Sequence, residues 1–518
     1  MASLFRRRVV INLLRAFWVI IIFWYEYGTF YSSVHDCNWP DLTLYPSDVG
    51  ATYDANISHV LLVADPQIVD RYSYPSRNFL VAHLTRLIVD LNLRKNWKAA
   101  IEKKPDAIVF LGDMMDNGRD SMSDAEYESY FQRFQSIFKA DASIPQYFIP
   151  GNHDTGLGRT EYFSPHAHSR YVNHFGSPNT EISIANHTLV LFDAPNYADE
   201  DSQRYGQGKK INQWVPRKGG SLEYMKAFAK ANHSDPVILF SHIPLYRPDG
   251  KSCGPLREKG NIRPGVGPGY QNVLEKLSSQ RLLEAFKPAI VFSGDDHDYC
   301  EYTHHLSLRN APIQETKEVT VKTISMVMNV RRPGFQLLSL APALLHSETS
   351  ETLAERPCVL PDQLRIYLQL YIPSLITSLL IVFLVSLRHR STFHNKADSN
   401  LAEVHLLSDI EEGTGDAVES TFTSSRRQPT SSGRLNSRMT TINPGWRIAP
   451  EERYSKSNSF NVSEWLCGFA DVILSASGRS RGPSSRRSWL LTFLRDVRDV
   501  AVFPIATFIF ITWWTVSN

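Results

Sequence analysis

The sequence has almost no net charge, few cysteines and no internal repeat. Its 518 residues include 55 Lys and Arg against 53 Asp and Glu, which gives a formal net charge of +2. This bulk charge argues against a nucleic-acid partner, and none is expected. Hydrophobic residues make up 42% and charged residues 21% of the chain, which is typical of a globular protein, but the apolar residues are unevenly spread.

A cleavage site is also lacking after the first apolar run. Residues 9–25 form this run, Arg6–Arg8 precede it, and no small-residue cleavage site follows it. The pattern favours an uncleaved signal anchor, with residues 1–27 as a short cytosolic N-terminus and a membrane helix. Arg15 interrupts the run and shortens its apolar part, so a buried core helix is the alternative.

Two later runs are also apolar enough to enter a membrane. Residues 366–387 contain no charge, and these 22 residues would span roughly 33 Å as a helix, enough for a bilayer core. Residues 500–516 would span only about 25 Å, so this segment either crosses the membrane, re-enters it or packs in a core. Between the two runs, residues 388–485 are rich in Ser, Thr and Arg without apolar periodicity, which predicts a disordered cytosolic linker.

Basic flanks predict the orientation of the chain in the membrane. Arg6–Arg8 precede the first apolar run, and residues 388–390, which include two arginines, follow the second. Because positively charged flanks remain in the cytosol, residues 26–365 are predicted to be lumenal, with residues 28–57 as a lead-in to the folded domain. N-glycosylation sequons within this segment agree with that orientation, at Asn56, Asn186 and Asn232.

Four of the five cysteines lie in the predicted lumenal segment. An oxidising compartment permits two disulfides among Cys37, Cys253, Cys300 and Cys358, with three possible pairings. Four free, buried thiols are the alternative, and the spacing of the cysteines does not choose between these possibilities.

Residues 58–345 are predicted to form one α/β domain. Six apolar, β-branched runs alternate with longer amphipathic segments, among them helices predicted at 79–104 and 271–286. Two later runs, at 318–325 and 334–340, follow without a helix between them, which predicts a second, partly antiparallel sheet.

Polar residues stand at the carboxyl ends of five of these runs. In open α/β sheets such ends line the ligand crevice, so the side chains are expected to converge. Alone, each would more often be a helix cap or a turn residue. Together they form an oxygen and nitrogen donor set that suits two divalent ions, which can clamp a phosphoryl group and activate water. The five are Asp65, Asp113, Asn152, His242 and Asp295.

The motifs D-x-Q, G-D-x-x-D-x-G-R, G-N-H-D, S-H and G-D-D-H, in that order, resemble the signature of calcineurin-like metallophosphoesterases over residues 58–300. The resemblance implies the αββα sandwich of that family, here flanked by transmembrane helices, with Asp113 bridging two metal ions. It assigns Asp65, Gln67 and His297 to the first metal and Asn152, His242 and Asp295 to the second. It also makes His153 the general acid that protonates the leaving oxygen, with Asp154 orienting His153.

Two residues depart from the usual pattern of the family. Gln67 stands where the family has His, and Asp295 stands in place of the first His of G-H-x-H. Both changes replace an imidazole nitrogen with oxygen, which favours harder ions, and we expect manganese. A neutral amide oxygen is a weak donor, so Gln67 is the weakest ligand of the predicted set.

The segments ADPQIVDRYSYP, LGDMMDNGR, SHIPLYRPDGKSCGPLREKG and FSGDDHDYC are similar to the largely fungal branch that remodels glycosylphosphatidylinositol (GPI) anchors. The resemblance implies a phosphodiesterase of an endoplasmic reticulum or early secretory membrane that removes an ethanolamine-phosphate side branch from a mannose. The GPI-anchor glycan and membrane lipid would be its partners. The alternatives are another lumenal lipid or glycolipid phosphoesterase and an inactive membrane adaptor for anchored cargo.

Several other polar residues have no clear motif role. Asp116 and Arg119 are predicted to hold their loop, with substrate binding as the alternative. Five histidines are predicted to be solvated or to lie behind the metal ligands: His166, His168, His174, His304 and His305.

Overall fold

The computed structural model of the protein describes residues 2–44, 57–158, 163–306, 313–342, 351–388 and 485–517. The chain divides into two compact units, one of Met1–Arg7 and Phe383–Arg495 and the other of Arg8–Val382 and Asp496–Asn518. In the first unit, Phe383 makes edge-on aromatic contacts with Trp489 and Phe493. Apart from its two end residues, the predicted linker at 388–485 lies outside the described residues, as does Asn56.

The strands follow the apolar runs of the sequence, and all six runs of the predicted α/β domain form strands. The strands are β1 (Ser58–Val63), β2 (Ala107–Phe110), β3 (Gln146–Phe148), β4 (Thr180–Ile184), β5 (His187–Phe192), β6 (Val237–Ser241), β7 (Val266–Gly267), β8 (Tyr270–Gln271), β9 (Ile290–Ser293), β10 (Cys300–Leu306), β11 (Gln314–Thr320), β12 (Gly334–Leu340) and β13 (Leu353–Val359). The six predicted runs correspond to β1, β2, β3, β5, β6 and β9.

The strands form two mixed sheets and a short ribbon of β7 and β8. The first sheet has the order β13-β12-β1-β2-β3, and the second has the order β10-β11-β9-β6-β5-β4. β1, β2 and β3 run parallel, as do β5, β6, β9 and β11 in the second sheet. Antiparallel strands β12 and β13 complete one side of the first sheet, whereas β4 and β10 are the two edges of the second.

The two late apolar runs do not share a sheet, contrary to the prediction. β11 pairs with β9 in the second sheet, whereas β12 pairs antiparallel with β1 in the first. All seven residues of β12 are buried, so its apolar pattern indicates a central strand. The pattern does not show which strand pairs with β12. β13 also extends the first sheet to Val359, beyond the predicted domain end at residue 345.

The helices are α1 (Ala2–Phe23), α2 (Thr29–His35), α3 (Phe79–Ile101), α4 (Asp124–Ile137), α5 (Asn152–Thr155), α6 (Ala167–Phe175), α7 (Ala194–Gly206), α8 (Ser221–Phe228), α9 (Lys276–Phe286), α10 (Gln363–Arg388) and α11 (Ser485–Ser517). α2, α3, α4 and α6 pack on the outer face of the first sheet, and α7, α8 and α9 pack on that of the second. The helices predicted at 79–104 and 271–286 correspond to α3 and α9. α3 begins where the side chain of Asn78 accepts a hydrogen bond from the Val81 N–H at 2.9 Å.

The side chains of β1 point alternately to the two faces of the first sheet, and their contacts show how the layers stack. Val60 and Leu62 belong to an apolar cluster that also contains Ile238 of β6, so the two sheets pack face to face. Leu61 points to the other side, into a cluster that contains Trp97 of α3 and residues of α4 and α6. A third cluster joins the outer face of the second sheet to α7, α8 and α9. The predicted αββα sandwich is therefore confirmed.

Among the residues that the structure describes, three helices are long and apolar enough to cross a membrane. They lie within Arg7–Thr43, Gln363–Arg388 and Trp489–Ser517. The third spans 29 residues because the helix begins well before the apolar run at 500–516. This helix is therefore long enough to cross a membrane, although the apolar run alone is short for a span. Arg15, which interrupts the first run, donates from Nε to the carbonyl of Asp499 at 2.6 Å.

A buried ion pair attaches the first and second apolar helices to the sandwich. Nζ of Lys95 on α3 lies 2.6 Å from Oε2 of Glu26, and both side chains are buried. Oε1 of Glu26 accepts hydrogen bonds from Tyr371 at 2.8 Å and from Gln363 at 3.2 Å, both on α10. Because a buried charge without its partner is costly, this cluster fixes the helices at one position on the sandwich.

The four cysteines of the predicted lumenal segment form two disulfides, Cys37–Cys358 and Cys253–Cys300. The first joins the segment after α2 to β13, so it ties the lead-in to the first sheet. The second joins the β6–β7 loop to the start of β10. These pairings resolve the choice that the spacing left open, and they fit an oxidising compartment.

Candidate metal centre

The candidate metal centre lies where the carboxyl ends of strands from both sheets meet. Asp65, Asp113 and Asn152 follow β1, β2 and β3 of the first sheet, and His242 and Asp295 follow β6 and β9 of the second. The parallel strands of each sheet deliver their ends to one edge, and the face-to-face packing brings the two edges together. All five predicted strand-end residues therefore converge on one site.

The backbone at this site is held in an unusual conformation. Five non-glycine residues of the predicted ligand set have positive φ: Asp65 (48°), Gln67 (39°), Asp113 (55°), Asp295 (62°) and His297 (70°). Such residues are uncommon in the left-handed region and concentrate at functional sites, where the surrounding structure holds the strain. Five of them in one cluster indicate that the fold fixes these side chains for a purpose other than stability.

Two glycines permit the close approach of the strands. Gly112 has φ of +94°, and a Cβ atom there would lie 2.3 Å from Nδ1 of His242. A Cβ atom on Gly151 would lie 2.0 Å from Oδ1 of Asp113. Any side chain at either position would displace the predicted ligands, which explains the glycines in the G-D and G-N-H-D motifs.

Two overlapping groups of donor atoms form the centre. The first contains Asp65, Asp113 and His297, and the second contains Asp113, His242 and Asp295; within each group the ligand atoms lie within 4.8 Å of one another. Nε2 of His242 lies 3.4 Å from Oδ1 of Asp113 and 3.5 Å from Oδ1 of Asp295. Asp113 thus belongs to both groups, as a bridging carboxylate would.

The two predicted amide ligands are oriented differently. Oδ1 of Asn152 faces the centre, 3.0 Å from Nε2 of His242, while its Nδ2 donates to the carbonyl of Gly269 at 2.8 Å. Gln67 turns its Nε2 inward and donates to Oδ2 of Asp113 at 2.7 Å. Asn152 is therefore set to present an oxygen donor, whereas Gln67 forms a hydrogen bond to the carboxylate of Asp113.

Burial and crowding perturb the charges of the centre. Burial raises the pKa of Asp65 well above its ordinary value, and the neighbouring Asp113 and Asp295 raise it further against the opposing effect of His242. Burial alone would raise the pKa of Asp113, but His242 and His153 hold it below its usual value. Three carboxylates gathered in a buried site repel one another, so the arrangement requires positive charge.

Residues 59–299 match the family described as calcineurin-like phosphoesterase. Cell division control protein 1 of Saccharomyces cerevisiae is 35% identical over 334 residues, which cover 64% of this chain and 64% of that protein. The chain contains a calcineurin-like phosphoesterase domain. Metallophosphoesterase 1 of Rattus norvegicus is 25% identical over 366 residues, 69% of this chain and 84% of the relative. The Drosophila melanogaster Metallophosphoesterase 1 homolog is 24% identical over 328 residues, 61% of this chain and 80% of the relative.

These findings confirm the resemblance inferred from the motifs. Calcineurin-like phosphoesterases are a class of hydrolases, and the match begins within β1 and ends just after the G-D-D-H motif. The chain spans less than two thirds of the length of the yeast relative, at 64%. The family match therefore covers the metal centre and the strands from β1 to β9, and it extends neither to β10–β13 nor to the apolar helices.

The residues of the phosphoesterase domain fit a pair of divalent ions. Oδ2 of Asp65 is buried, and no group among the described residues donates a hydrogen bond to it. This oxygen is therefore available to bind a metal ion. Asp65 and His297 would hold one ion, His242 and Asp295 would hold the other, and Asp113 would hold both. Such a pair supplies Lewis-acid polarisation of a phosphoryl group and activation of the attacking water.

His153 lies at the rim of the centre, but Asp154 does not orient it as predicted. The carboxylate of Asp154 is buried and accepts the backbone N–H of Gly151 at 2.9 Å and of Met115 at 3.1 Å. Burial and the charge of Asp113 raise the pKa of Asp154 to about 7. The ring of His153 instead bonds through Nδ1 to the carbonyl of Asp116. The carboxylate of Asp154 thus closes the turn that carries Asn152.

The surroundings of the site include contacts that the sequence did not reveal. The carbonyl of Gly269, in the β7–β8 turn, accepts hydrogen bonds from Asn152 and, at 2.8 Å, from Nη1 of Arg119. Arg119 also donates to the Asn152 carbonyl at 3.1 Å, so it holds loops together as expected. Thr323 donates from Oγ1 to the Asp65 carbonyl at 2.8 Å. No local motif marks Gly269 or Thr323, because each of their contacts joins distant parts of the chain.

Among the five unassigned histidines, His304 has a defined structural role. His304 is buried rather than solvated, and its Nε2 lies 2.7 Å from Oε2 of Glu318. The same carboxylate oxygen lies 2.8 Å from Nη2 of Arg247. This buried network lies between β10, β11 and the loop after β6, and it stabilises the second sheet rather than contacting the metal centre.

Proposed function

We propose that this chain is a metal-dependent phosphodiesterase that removes an ethanolamine-phosphate side branch from a mannose of GPI anchors. The observation that carries the proposal is the position of Asp113, whose carboxylate belongs to both donor groups. A pair of divalent ions sharing one carboxylate is an arrangement that hydrolyses phosphate esters. Relatives named Metallophosphoesterase 1 support the phosphoesterase part, and the segments similar to GPI-remodelling enzymes support the substrate.

In the proposed reaction, water attacks phosphorus and the bond to the mannose oxygen breaks in line with the attack. His153 gives the departing oxygen its proton, so that the mannose leaves as a neutral hydroxyl. Because Nδ1 of His153 is bonded to the carbonyl of Asp116, Nε2 is the nitrogen that carries this proton. Asn152 and His153 are consecutive at the start of α5, so a single turn sets both the ligand and the acid.

Metal analysis tests the centre directly. We expect the detergent-purified full chain to contain two divalent ions, because two donor groups share Asp113. After chelation, manganese should restore more turnover of an aryl phosphodiester than zinc does, since the donor set is rich in oxygen. Elemental analysis and an activity assay check both points. At most one ion per chain would contradict the two-metal centre, and metal binding without any turnover would favour the inactive adaptor.

Glycosylation tests the proposed orientation, in which the catalytic domain is lumenal in an early secretory membrane. Asn186 and Asn232 are exposed in the structure, Asn186 in the turn between β4 and β5. We expect glycans on both, so Asn186→Gln and Asn232→Gln should each increase electrophoretic mobility. Asn461 lies in the predicted cytosolic linker, and Asn461→Gln should leave mobility unchanged. A glycan on Asn461 would overturn the orientation.

The substrate is tested on the anchors themselves. Mass spectrometry of anchor glycans from cells lacking this chain should show a retained ethanolamine-phosphate on one mannose. Expression of the wild-type chain should remove it, whereas a catalytically inactive variant at His153 should not. Anchors of unchanged composition would reject the GPI substrate and favour another lumenal lipid or glycolipid phosphoesterase.

A further inference from the structure

A groove of about 960 Å³ opens where the apolar helices meet the sandwich. Its lining includes Tyr25, the first turns of α10, and two loops of the sandwich that carry Lys259 and Arg331. Tyr25 ends the first predicted apolar run, and Ile366, which also lines the groove, begins the second. The groove therefore lies at the level at which both predicted spans reach the lumenal side, and this is the level of lipid headgroups.

Positive side chains dominate the lining. Lys259, Arg331, Arg332 and Arg365 contribute four cations, and all four residues are exposed. Among the described parts of the chain, none of these four side chains forms an ion pair. Guanidinium groups bind phosphate oxygens through paired, charge-assisted hydrogen bonds. Nε of Arg365 donates to Oε1 of Gln369 at 3.0 Å, which is a neutral partner. Four cations without an ion-pair partner around one groove thus favour an anionic ligand, and phosphate matches them best.

The two carboxylates of the lining are already engaged within the protein. Oε1 of Glu258 lies 2.9 Å from Nζ of Lys322, and Oε2 accepts the backbone N–H of Arg331 at 2.7 Å. Oδ1 of Asp362 accepts the backbone N–H of Arg365 at 2.8 Å and so caps the start of α10. Neither carboxylate faces a cationic side chain of the groove as its ion-pair partner, so the groove keeps its positive character.

Apolar surface lies beside these charges. Ile366 and Leu370 are one turn apart on α10, and Tyr25 adds an aromatic ring. A free phosphate ion gains nothing from such surface, whereas a lipid presents its phosphate next to glycerol and acyl carbons. The combination of cationic and apolar lining therefore favours the headgroup of a lipid that remains in the membrane.

Direct contacts connect the groove to the loop that carries two predicted ligands. The backbone N–H of Glu258 donates to Oδ2 of Asp298 at 2.7 Å. The preceding residue, Arg257, forms an ion pair with Asp296, in which Nη2 lies 3.1 Å from Oδ1. Asp296 and Asp298 are the two neighbours of His297 in the sequence. A headgroup in the groove would therefore lie beside the loop of the metal centre.

We propose that this groove binds the phosphodiester of a membrane lipid headgroup of the phosphoinositol class. This inference rests on the proposed function for its physiological ligand, since a GPI anchor joins its glycan to the membrane through such a headgroup. The groove holds the lipid end of the anchor, and the glycan extends from it to the metal centre. The substrate is then recognised at two points, one at the membrane surface and one at the ester that is cleaved.

Binding to the detergent-purified full chain tests the groove. Titration calorimetry with dihexanoyl phosphatidylinositol measures affinity for a soluble lipid of this class. We expect the double variant Arg331→Gln/Arg332→Gln to weaken binding by about tenfold or more, because two charged contacts to phosphate are lost. The matched control, Lys251→Gln/Arg263→Gln, removes two exposed cations from the β6–β7 loop outside the lining and should bind as the wild type does.

Competition identifies the source of the phosphate. Inorganic phosphate at millimolar concentration should leave the bound lipid in place, and dihexanoyl phosphatidylcholine should bind more weakly than the inositol lipid. Displacement by inorganic phosphate at the concentration of the lipid would show a plain anion site and would overturn the proposal. Equal affinity of the wild type and the groove variant would overturn it as well.

Kinetics separate this proposal from the proposed function. The groove variant should raise KM for a lipid-linked GPI glycan by about tenfold and leave hydrolysis of a soluble aryl phosphodiester within about twofold of wild type. If the wild type binds the inositol lipid but releases no ethanolamine phosphate, the GPI activity fails and the groove stands. If the wild type releases it and the groove variant does so with unchanged KM, the groove fails and the activity stands.

Discussion

Replacement of Asp113 with Asn is expected to remove bound metal and to lower phosphodiesterase activity by about 10³-fold or more. The side chain is fully buried, and its carboxylate belongs to both donor groups. An amide of the same size fits the site but lacks the negative charge that offsets repulsion between two cations. Because a metal pair at this centre would contribute several kcal/mol of transition-state stabilisation, occupancy and turnover should fall together. Elemental analysis and an aryl phosphodiester assay measure both quantities.

A matched control lies at the other end of the same strand. Asp106 immediately precedes β2, is exposed, and accepts the backbone N–H of His59 at 2.8 Å. Asp106→Asn makes the same chemical change outside the centre, so metal content and activity should remain near wild type. Full metal occupancy in Asp113→Asn, with folding confirmed by circular dichroism, would show that Asp113 is not the bridging ligand.

Local sequence patterns predicted the strands and the convergence of the ligands. A buried parallel strand reads as a continuous apolar run, and the residue that ends it is placed by the strand itself. Asp65, Asp113 and Asn152 therefore lie together for the reason that the sequence suggested. The same logic brings in His242 and Asp295, because the second sheet is built from the same kind of strand.

Contacts between distant segments were not predictable in this way. Asn152 and Gly269 are separated by 117 positions, and their hydrogen bond depends on where the β7–β8 ribbon folds back. β12 is equally apolar whichever sheet it joins, so its pairing with β1 required the three-dimensional structure. The partner of His153 was also misassigned: the resemblance to the family implied Asp154, but the backbone turn directs that carboxylate to backbone amides instead.

Replacement of His153 with Ala should separate chemistry from metal binding. His153 is not a member of either donor group, and its side chain is 26% exposed at the rim of the centre. The variant should therefore keep its metal content. It loses the proton donor, and general acid catalysis is usually worth about 10²–10⁴-fold in rate. We expect a loss in that range for a substrate whose leaving group is an alkoxide, such as a mannose hydroxyl.

The size of the loss should depend on the leaving group. A nitrophenolate is stable without protonation, so the aryl phosphodiester should be slowed much less by His153→Ala than the alkyl ester. Asp113→Asn, by contrast, should slow both substrates severely, because it removes the ions that act on either ester. Metal content measured beside both rates completes the comparison. If His153→Ala loses its metals, or if it slows the two esters equally, then His153 does not supply the proton to the leaving oxygen.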